Sequence, residues 1–232
     1  MLWYRPVPYQ SEIPSKILMH YVDLSHTIEH GMVTYKGLPA PVICDFLSRE
    51  ASKKQYSEIT TFQIGKIEMV ANTGTYVDAP FHRHADGKDL SELSLESLVN
   101  LEGLVFRTRE RANGPELFCN TDVLGKAVLV NTGWAQYWRT DKYFQGHPFL
   151  TEAAAHWLRE HGAAFVGIDS LNIDSTATGE RPVHTVLLGA GIPICEHLCH
   201  LEQLPDSGFH FHAAPVKVKG FGSFPVRAYA IL

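Results

Sequence analysis

The chain has 232 residues, of which 45% are hydrophobic, and this is enough to bury one sizeable core. We therefore expect a single domain over residues 1–232. The net charge of -5 provides no basic face for binding phosphates, which argues against nucleic acid or an anionic membrane as the main partner and favours a small molecule.

In chain order, the hydrophobic patterns predict strands at residues 21–25, 42–46 and 62–70, a helix at 91–98, strands at 104–108 and 127–131, a helix at 151–161, a strand at 164–168, a helix at 183–188, and strands at 192–195, 208–218 and 226–232. The helix at 151–161 is the best marked, because Thr151 is a good N-cap and Gly162 stands where a C-cap glycine belongs. Residues 109–122 have no period and predict a loop between strands. The pattern as a whole predicts a mixed α/β protein.

The cellular compartment is suggested by features that the sequence lacks. The first ten residues contain two prolines and no apolar stretch of signal-peptide length, and no run approaches the roughly 20 apolar residues of a membrane span. The four cysteines are too few for a disulfide framework in a chain of this length. We expect a cytoplasmic protein in which Cys195 and Cys199 are reduced packing residues.

The stretch NTGTYVDAPFH, residues 72–82, combines polar side chains with a glycine and a proline that allow a tight bend. Asp78 and His82 stand four residues apart around this bend, so a carboxylate and an imidazole can face one cavity. A turn capped by Asp78, with His82 and His84 on the surface, explains the pattern equally well. The residues alone leave a metal site and a polar loop as alternatives.

Two later stretches also carry polar side chains next to predicted elements. HTVLLGAGIPICEHL places His184 at a helix start and Glu196 at a strand end, where each is explained more simply as a cap or a surface residue. VGIDSLNID places Asp169 and Asp174 just after a predicted strand, where functional residues are common, but loop caps explain them as well.

Together with VDLSHTIEHGMVTYKG, these stretches occur in the order and at about the spacing found in the cyclase family of metal-dependent hydrolases, which includes bacterial kynurenine formamidase and isatin hydrolase. The chain resembles that family from about residue 21 to residue 232. The resemblance implies an α/β fold of the swivelling β/β/α type, with a mixed β-sheet core wrapped by helices. It also implies assembly as a homodimer or homotetramer.

The central motif of that family is HxGTHxDxPxH, whose two leading His and Asp bind divalent metal and whose final His acts as an acid or base. Asn72 and Tyr76 stand at the positions of the two leading His. Asp78 and His82 match the metal-bridging carboxylate and the catalytic His. The chain therefore keeps the second half of the motif and departs from the first half.

By the same resemblance, His184 and Glu196 match the later metal ligands of the family. An amide oxygen and a phenol are poorer ligands for zinc than imidazole, so the two departures weaken the first site of a two-metal centre. Asp78, His184 and Glu196 would still hold one divalent ion, zinc or manganese, because a catalytic zinc needs only three protein ligands and a water.

The reaction that the resemblance implies is hydrolysis of an amide or cyclic amide, as for N-formylkynurenine in tryptophan catabolism. Metal-activated water would attack the carbonyl, His82 would shuttle the proton, and Tyr76 would donate a hydrogen bond to the developing oxyanion. We expect Trp134, Tyr137 and Asn72 to bind the substrate, although packing in the core or at a subunit interface explains the two aromatic residues at least as well.

Two other interpretations stay open. The chain could be a family member with altered, metal-independent chemistry, such as a lyase or dehydratase, or a non-catalytic small-molecule binding protein that keeps the fold. Nucleotide binding and serine hydrolysis have little support, because the sequence contains no GxxxxGK[ST], GxGxxG or GxSxG motif.

Overall fold

A computed structural model of the chain describes residues 19–232. The strands in this part are β1 (Tyr21–Asp23), β2 (Val42–Leu47), β3 (Ile64–Glu68), β4 (Tyr76–Asp78), β5 (Leu101–Arg107), β6 (Ala112–Asn113), β7 (Ala127–Asn131), β8 (Phe149–Leu150), β9 (Phe165–Ile168), β10 (Ile194–Glu196), β11 (Phe209–His212), β12 (Ser223–Pro225) and β13 (Tyr229–Ile231). The α-helices are α1 (Arg49–Ser52), α2 (Glu152–Glu160) and α3 (Pro182–Gly189).

The first ten residues, whose prolines argued against a signal peptide, lie outside the described residues. The expectation of a single domain over residues 1–232 stays a prediction. None of the helices in residues 19–232 is long and apolar enough to cross a lipid bilayer.

Nine of the described strands form one mixed sheet in the order β1-β13-β11-β5-β7-β9-β10-β4-β12. The central strands β5, β7, β9 and β10 are parallel to one another, and the strands on both sides of them are antiparallel. Strands β2 and β3 pair separately as an antiparallel arm, and β6 pairs with β8. The mixed-sheet α/β prediction is confirmed.

The two faces of the sheet contribute to two hydrophobic clusters, because side chains alternate along each strand. On β7, Val128 and Val130 face one cluster, in which Leu158 of α2 and Leu187 of α3 cover the sheet. Leu129 faces the other cluster, to which strands β1, β11 and β13 of the same sheet and several loops contribute. The sheet therefore curls over one face, and the helices cover the other.

The helix predicted at 151–161 is confirmed as α2. The Thr151 side chain accepts a hydrogen bond from the backbone N–H of Ala154, and Gly162 has a positive φ of 72° just after the helix. The cap residues therefore act as the sequence indicates. Cys195 and Cys199 are buried free thiols, as expected.

Other predicted elements are corrected by the structure. The helix predicted at 91–98 is only a short 3₁₀ turn, Leu95–Ser97, because the Asp89 carboxylate binds the backbone N–H and hydroxyl of Ser91 and holds the chain in a turn. The strand predicted at 208–218 ends at His212. The bend at 72–82 contains a strand that the sequence did not predict, β4, which is buried between β10 and β12.

Candidate active site

Strand β4 lies at the centre of the candidate site and presents two polar side chains to one face of the sheet. Val77 packs into the cluster on the curled face, so Tyr76 and Asp78 point to the face that α3 covers. Glu196 of β10 is the register partner of Tyr76, and Ser223 of β12 is the register partner of Asp78. Strand pairing therefore brings residues from three distant stretches of sequence together.

His184 enters this face from the first turn of α3 and is fixed in orientation by Asp174. One carboxylate oxygen of Asp174 accepts the backbone N–H of Val183, and the other accepts the backbone N–H of His184 and lies 2.6 Å from its Nδ1 atom. Asp174 is thus both the cap of α3 and the partner of the imidazole. The remaining ring nitrogen of His184, Nε2, points toward Asp78 and Glu196, 3.6 Å from a carboxylate oxygen of each.

Glu196 is fully buried and is held by donors on both oxygens. The backbone N–H of Ile173 donates to Oε1 at 2.7 Å, and the Tyr76 hydroxyl donates to Oε2 at 2.5 Å. The expected role of Tyr76 as a donor to an oxyanion stays a prediction. In this structure the proton of its hydroxyl is engaged with Glu196.

His82 reaches the site on the 3₁₀ turn Pro80–His82 that directly follows β4, and its side chain is 35% exposed. Ser223 Oγ donates to Asp78 Oδ1 and lies 2.8 Å from His82 Nδ1. A hydroxyl carries one proton, so Nδ1–H of His82 donates to Ser223 and Nε2 keeps its lone pair. A Cβ on Gly222 would lie 2.5 Å from the Cα of His82, so glycine is required for this close approach.

The donor atoms fit a divalent metal ion. Asp78 Oδ2 is buried and has no hydrogen-bond partner among residues 19–232, and an ion between it and the Nε2 atom of His184 would satisfy it. The histidine has the arrangement usual for metal ligands, with the other ring nitrogen bonded to a carboxylate. Asp78, His184 and Glu196 supply one nitrogen and two carboxylates, whereas the set in residues 19–232 that brings one ligand atom each within 4.8 Å of the others is Asp78, His82 and His184.

The electrostatics of the site favour a cation. Burial by itself would lower the pKa of His184, but the hydrogen bond to Asp174 and the charges of Asp78 and Glu196 outweigh it and raise that pKa to about 10. Burial raises the pKa of Glu196 to about 7 against the attraction of His184. Asp78, Asp174 and Glu196 therefore bring an excess of carboxylates around His184, which a bound cation would compensate.

A cavity of about 200 Å³ opens onto these groups and is lined by Tyr35, Leu38, Asn72, Tyr76, His82, Asn172, Arg181, His184 and Glu196. It is smaller than the roughly 300 to 1,000 Å³ of ordinary ligand pockets, so it suits a small substrate. Asn72, expected to bind substrate, is part of the lining.

Trp134 and Tyr137, the other two expected substrate-binding residues, do not line this cavity. The indole of Trp134 donates to the backbone carbonyl of Tyr143, and the ammonium of Lys142 lies 3.6 Å from the centre of the Tyr137 ring. In these positions both aromatic residues pack within their own loop, outside the buried core, and their expected role in substrate binding stays a prediction.

The structure adds residues that sequence reasoning left out of the site. Asp174 had been interpreted as a loop cap, and it is a cap that also binds His184. Tyr35 belongs to one of the stretches that carry the family resemblance, but nothing in its spacing indicates a role. Neither Ser223 nor Arg181 belongs to a motif that indicates a functional role in the sequence. Only the fold brings Ser223 to His82 and Arg181 to the cavity. Asp169, by contrast, caps the loop after β7 through Thr132 and Gly133.

Comparison with known proteins identifies relatives that span nearly the whole chain. The model of the family described as putative cyclase matches residues 22–175. The kynurenine formamidase of Geobacillus thermodenitrificans is 27% identical over 210 residues, which cover 90% of this chain and 95% of that protein. The kynurenine formamidase of Bacillus cereus is 25% identical over 209 residues, with the same coverage.

Solved structures show the same fold. Isatin hydrolase A from Labrenzia aggregata, bound to benzyl benzoate, superposes with a TM-score of 0.79 at 22% identity and covers 92% of this chain and 94% of that one, a likeness that concerns the fold alone. A protein from Bacillus stearothermophilus described as a predicted metal-dependent hydrolase superposes with a TM-score of 0.74 at 27% identity and covers 92% and 98% of the two chains.

Proposed function

This chain belongs to the putative cyclase family, and we propose that it is a metal-dependent hydrolase of a small amide or cyclic amide. The observation that carries the proposal is the buried Oδ2 atom of Asp78, which has no hydrogen-bond partner within residues 19–232 and lies 3.6 Å from the Nε2 atom of His184. Such an orphaned carboxylate oxygen is costly unless a cation or donor binds it. Glu196 completes a set of three ligands for one ion.

When bound, a zinc or manganese ion supplies Lewis acidity, which acidifies water and polarises a substrate carbonyl. His82 accepts a proton at Nε2 from the attacking water and returns it to the leaving nitrogen. Ser223 holds Nδ1 of His82, and this contact orients the ring toward the cavity.

For the substrate, we propose an arylformamide of the N-formylkynurenine type. Two relatives with 25 to 27% identity over 90% of this chain are named kynurenine formamidase, which supports this assignment. The small volume of the cavity is compatible with a single-ring substrate. A homodimer or homotetramer is the assembly that we propose, since the arm formed by β2 and β3 leaves large apolar side chains exposed.

Elemental analysis of protein purified without chelator tests the proposal. We expect about one zinc or manganese ion per chain in the wild type, and its loss in Asp78→Ala. Asp86→Ala, an exposed carboxylate outside the ligand set, is the matched control and should keep the ion. A wild-type protein without metal would contradict the metal-dependent mechanism, and a screen of formamides, cyclic imides and lactones would then separate metal-independent catalysis from simple binding.

A further inference from the structure

The hydroxyl of Tyr35 is an unused hydrogen-bond donor at the candidate site. Its oxygen is buried, the residue lines the cavity, and the oxygen has no hydrogen-bond partner among residues 19–232. The side-chain amide of Asn172 lies near this phenol and lowers its pKa, but the two groups are not in hydrogen-bonding geometry. Leaving a buried hydroxyl unpaired costs about 1 to 3 kcal/mol, so the position favours a ligand atom that accepts its proton.

Arg181 lines the same cavity and is held by one corner of its guanidinium group. Its Nη1 atom donates to three backbone carbonyls, at 3.3 Å to Ser175, 2.8 Å to Thr178 and 2.6 Å to Glu180. Within the described part of the chain, the hydrogen bonds of Arg181 all come from Nη1, and its Nη2 and Nε atoms have no acceptor. Its Nη1 atom therefore fixes the guanidinium group in place, while the N–H groups of Nη2 and Nε can still donate hydrogen bonds to a ligand.

Tyr35 and Arg181 line the same cavity, and the charge of Arg181 affects the pKa of the Tyr35 phenol. Burial is the main cause that raises the pKa of Tyr35, the charge of Glu196 adds to it, and the positive charge of Arg181 opposes both. Among the residues that line this cavity, Arg181 is the one whose positive charge is permanent. A guanidinium edge beside a neutral hydroxyl donor is an arrangement suited to a carboxylate.

We propose that Tyr35 and Arg181 form a subsite that binds the carboxylate of an anionic substrate. The substrates are then small amides that carry a carboxylate group, bound at this subsite while the amide carbonyl faces His82 and His184. This inference rests on the proposed hydrolase function, because it assigns the substrate class of that same cavity. It concerns two residues outside the ligand set and outside the proton path of His82.

The test compares substrates that differ only in the carboxylate. The three formamidobenzoates and formanilide share the same formamide, and their kcat/KM values are measured on protein purified without chelator. We expect the best formamidobenzoate to exceed formanilide by about 10 to 100-fold, as for a hydrogen-bonded charged group. Arg181→Met should remove this preference, mainly through KM, and Tyr35→Phe should reduce it.

A binding measurement separates the subsite from the reaction. Calorimetric titration with benzoate should show binding to the wild type and at least about 10-fold weaker binding to Arg181→Met and Tyr35→Phe. Arg159→Gln, which removes an exposed positive charge on α2, is the control for net charge and should bind as the wild type does. Tyr35→Phe removes one oxygen atom, so it keeps the test informative if Arg181→Met unfolds.

The outcomes distinguish the two proposals. Benzoate binding that depends on Tyr35 and Arg181, without hydrolysis of any formamide, cyclic imide or lactone, would support the subsite and contradict the hydrolase function. Formamide hydrolysis with no preference for a carboxylate, and benzoate binding unchanged in both variants, would overturn the subsite and leave the hydrolase function standing. Absence of both hydrolysis and benzoate binding would overturn both.

Discussion

Asp174 Oδ2 lies 2.6 Å from Nδ1 of His184, and the same carboxylate caps the first turn of α3. The imidazole therefore cannot rotate independently of the helix that carries it. Its Nε2 atom is kept between Asp78 and Glu196, where an ion would be bound. Helix capping and ligand orientation are carried out by one side chain.

Asp174→Asn should weaken metal binding without removing a ligand. The amide keeps a hydrogen bond to His184 but loses the negative charge that raises the basicity of the ring. Loss of such an outer partner typically lowers metal affinity by about 10 to 100-fold. Competition with a chromophoric chelator measures the change, with Asp86→Asn as a surface control. Equal affinity in Asp174→Asn and wild type would contradict the orienting role.

His82→Ala should abolish most turnover while leaving the metal content unchanged. General acid–base catalysis typically contributes about 10² to 10⁴-fold, and we expect a loss of that size in kcat. If His82 were instead a metal ligand, the variant would lose its ion together with its activity. Steady-state kinetics and elemental analysis of the same preparation decide between the two roles.

Ser223→Ala is the matching test of the proton path. The variant leaves His82 in place but removes the hydroxyl that joins its Nδ1 atom to Asp78. We expect a smaller loss of kcat than in His82→Ala, together with a displaced pH–rate profile, because the ring is no longer held in one tautomer. A profile identical to that of the wild type would show that Ser223 only packs against the ring.

The sequence identified the residues of the site whose positions follow from local geometry. Asp78 and His82 could be paired because they stand four residues apart on either side of Pro80, in a stretch that also contains Gly74. The second function of Asp174 could not be predicted, because a helix cap and a histidine partner look the same until His184 is placed in space. Trp134 and Tyr137 were expected at the cavity from their aromatic character, which does not encode the direction in which their loop folds.

The fold shows the same limit. The long apolar strands of the sheet centre were predicted, and β7 has the predicted bounds Ala127–Asn131. Strand β4 was not predicted, since its three residues include two polar side chains that are buried only because β10 and β12 flank it. Short polar strands of this kind depend on their neighbours more than on their own propensity.

Tyr76→Phe should destabilise the protein more than it affects the chemistry. The hydroxyl donates to the fully buried Glu196, and leaving that carboxylate with one donor fewer costs about 1 to 3 kcal/mol. We expect a lower denaturant midpoint and weaker metal retention. If Tyr76 serves the oxyanion instead, kcat would fall while the midpoint stays at the wild-type value. Tyr21→Phe, an exposed tyrosine, is the control for loss of a hydroxyl.

The arm of β2 and β3 should mediate self-association. Two-stranded sheets are marginal on their own, and this one exposes Phe46 at 76% and the neighbouring loop exposes Ile59 at 95%. Phe46→Ser combined with Ile59→Ser should shift a dimer or tetramer toward monomer in light scattering coupled to size exclusion. Lys54→Ser, also exposed near the arm, should leave the mass unchanged. A wild type that is monomeric would contradict the proposed assembly.

His26 should make the folded protein sensitive to acid. Its ring stacks on Trp138 with 4.0 Å between centroids, its Nε2 atom is buried without a partner among residues 19–232, and burial together with the charge of His200 lowers its pKa to about 4. The unfolded chain, with an ordinary pKa of about 6.5, binds this proton first. Stability is therefore complete above about pH 6.5 and falls as the pH decreases toward 4.

His26→Phe isolates this contribution, because it keeps an aromatic ring against Trp138 and removes the proton. Between pH 7.5 and 4.5 the wild type should lose up to about 2 kcal/mol more unfolding free energy than the variant, as the displaced pKa implies. Urea denaturation at both pH values measures the difference. His147, whose pKa is lowered by burial in both proteins, cancels in the comparison, whereas His197 contributes to the difference because the charge of His26 helps to lower its pKa. Equal losses in the two proteins would show that His26 takes up its proton without unfolding.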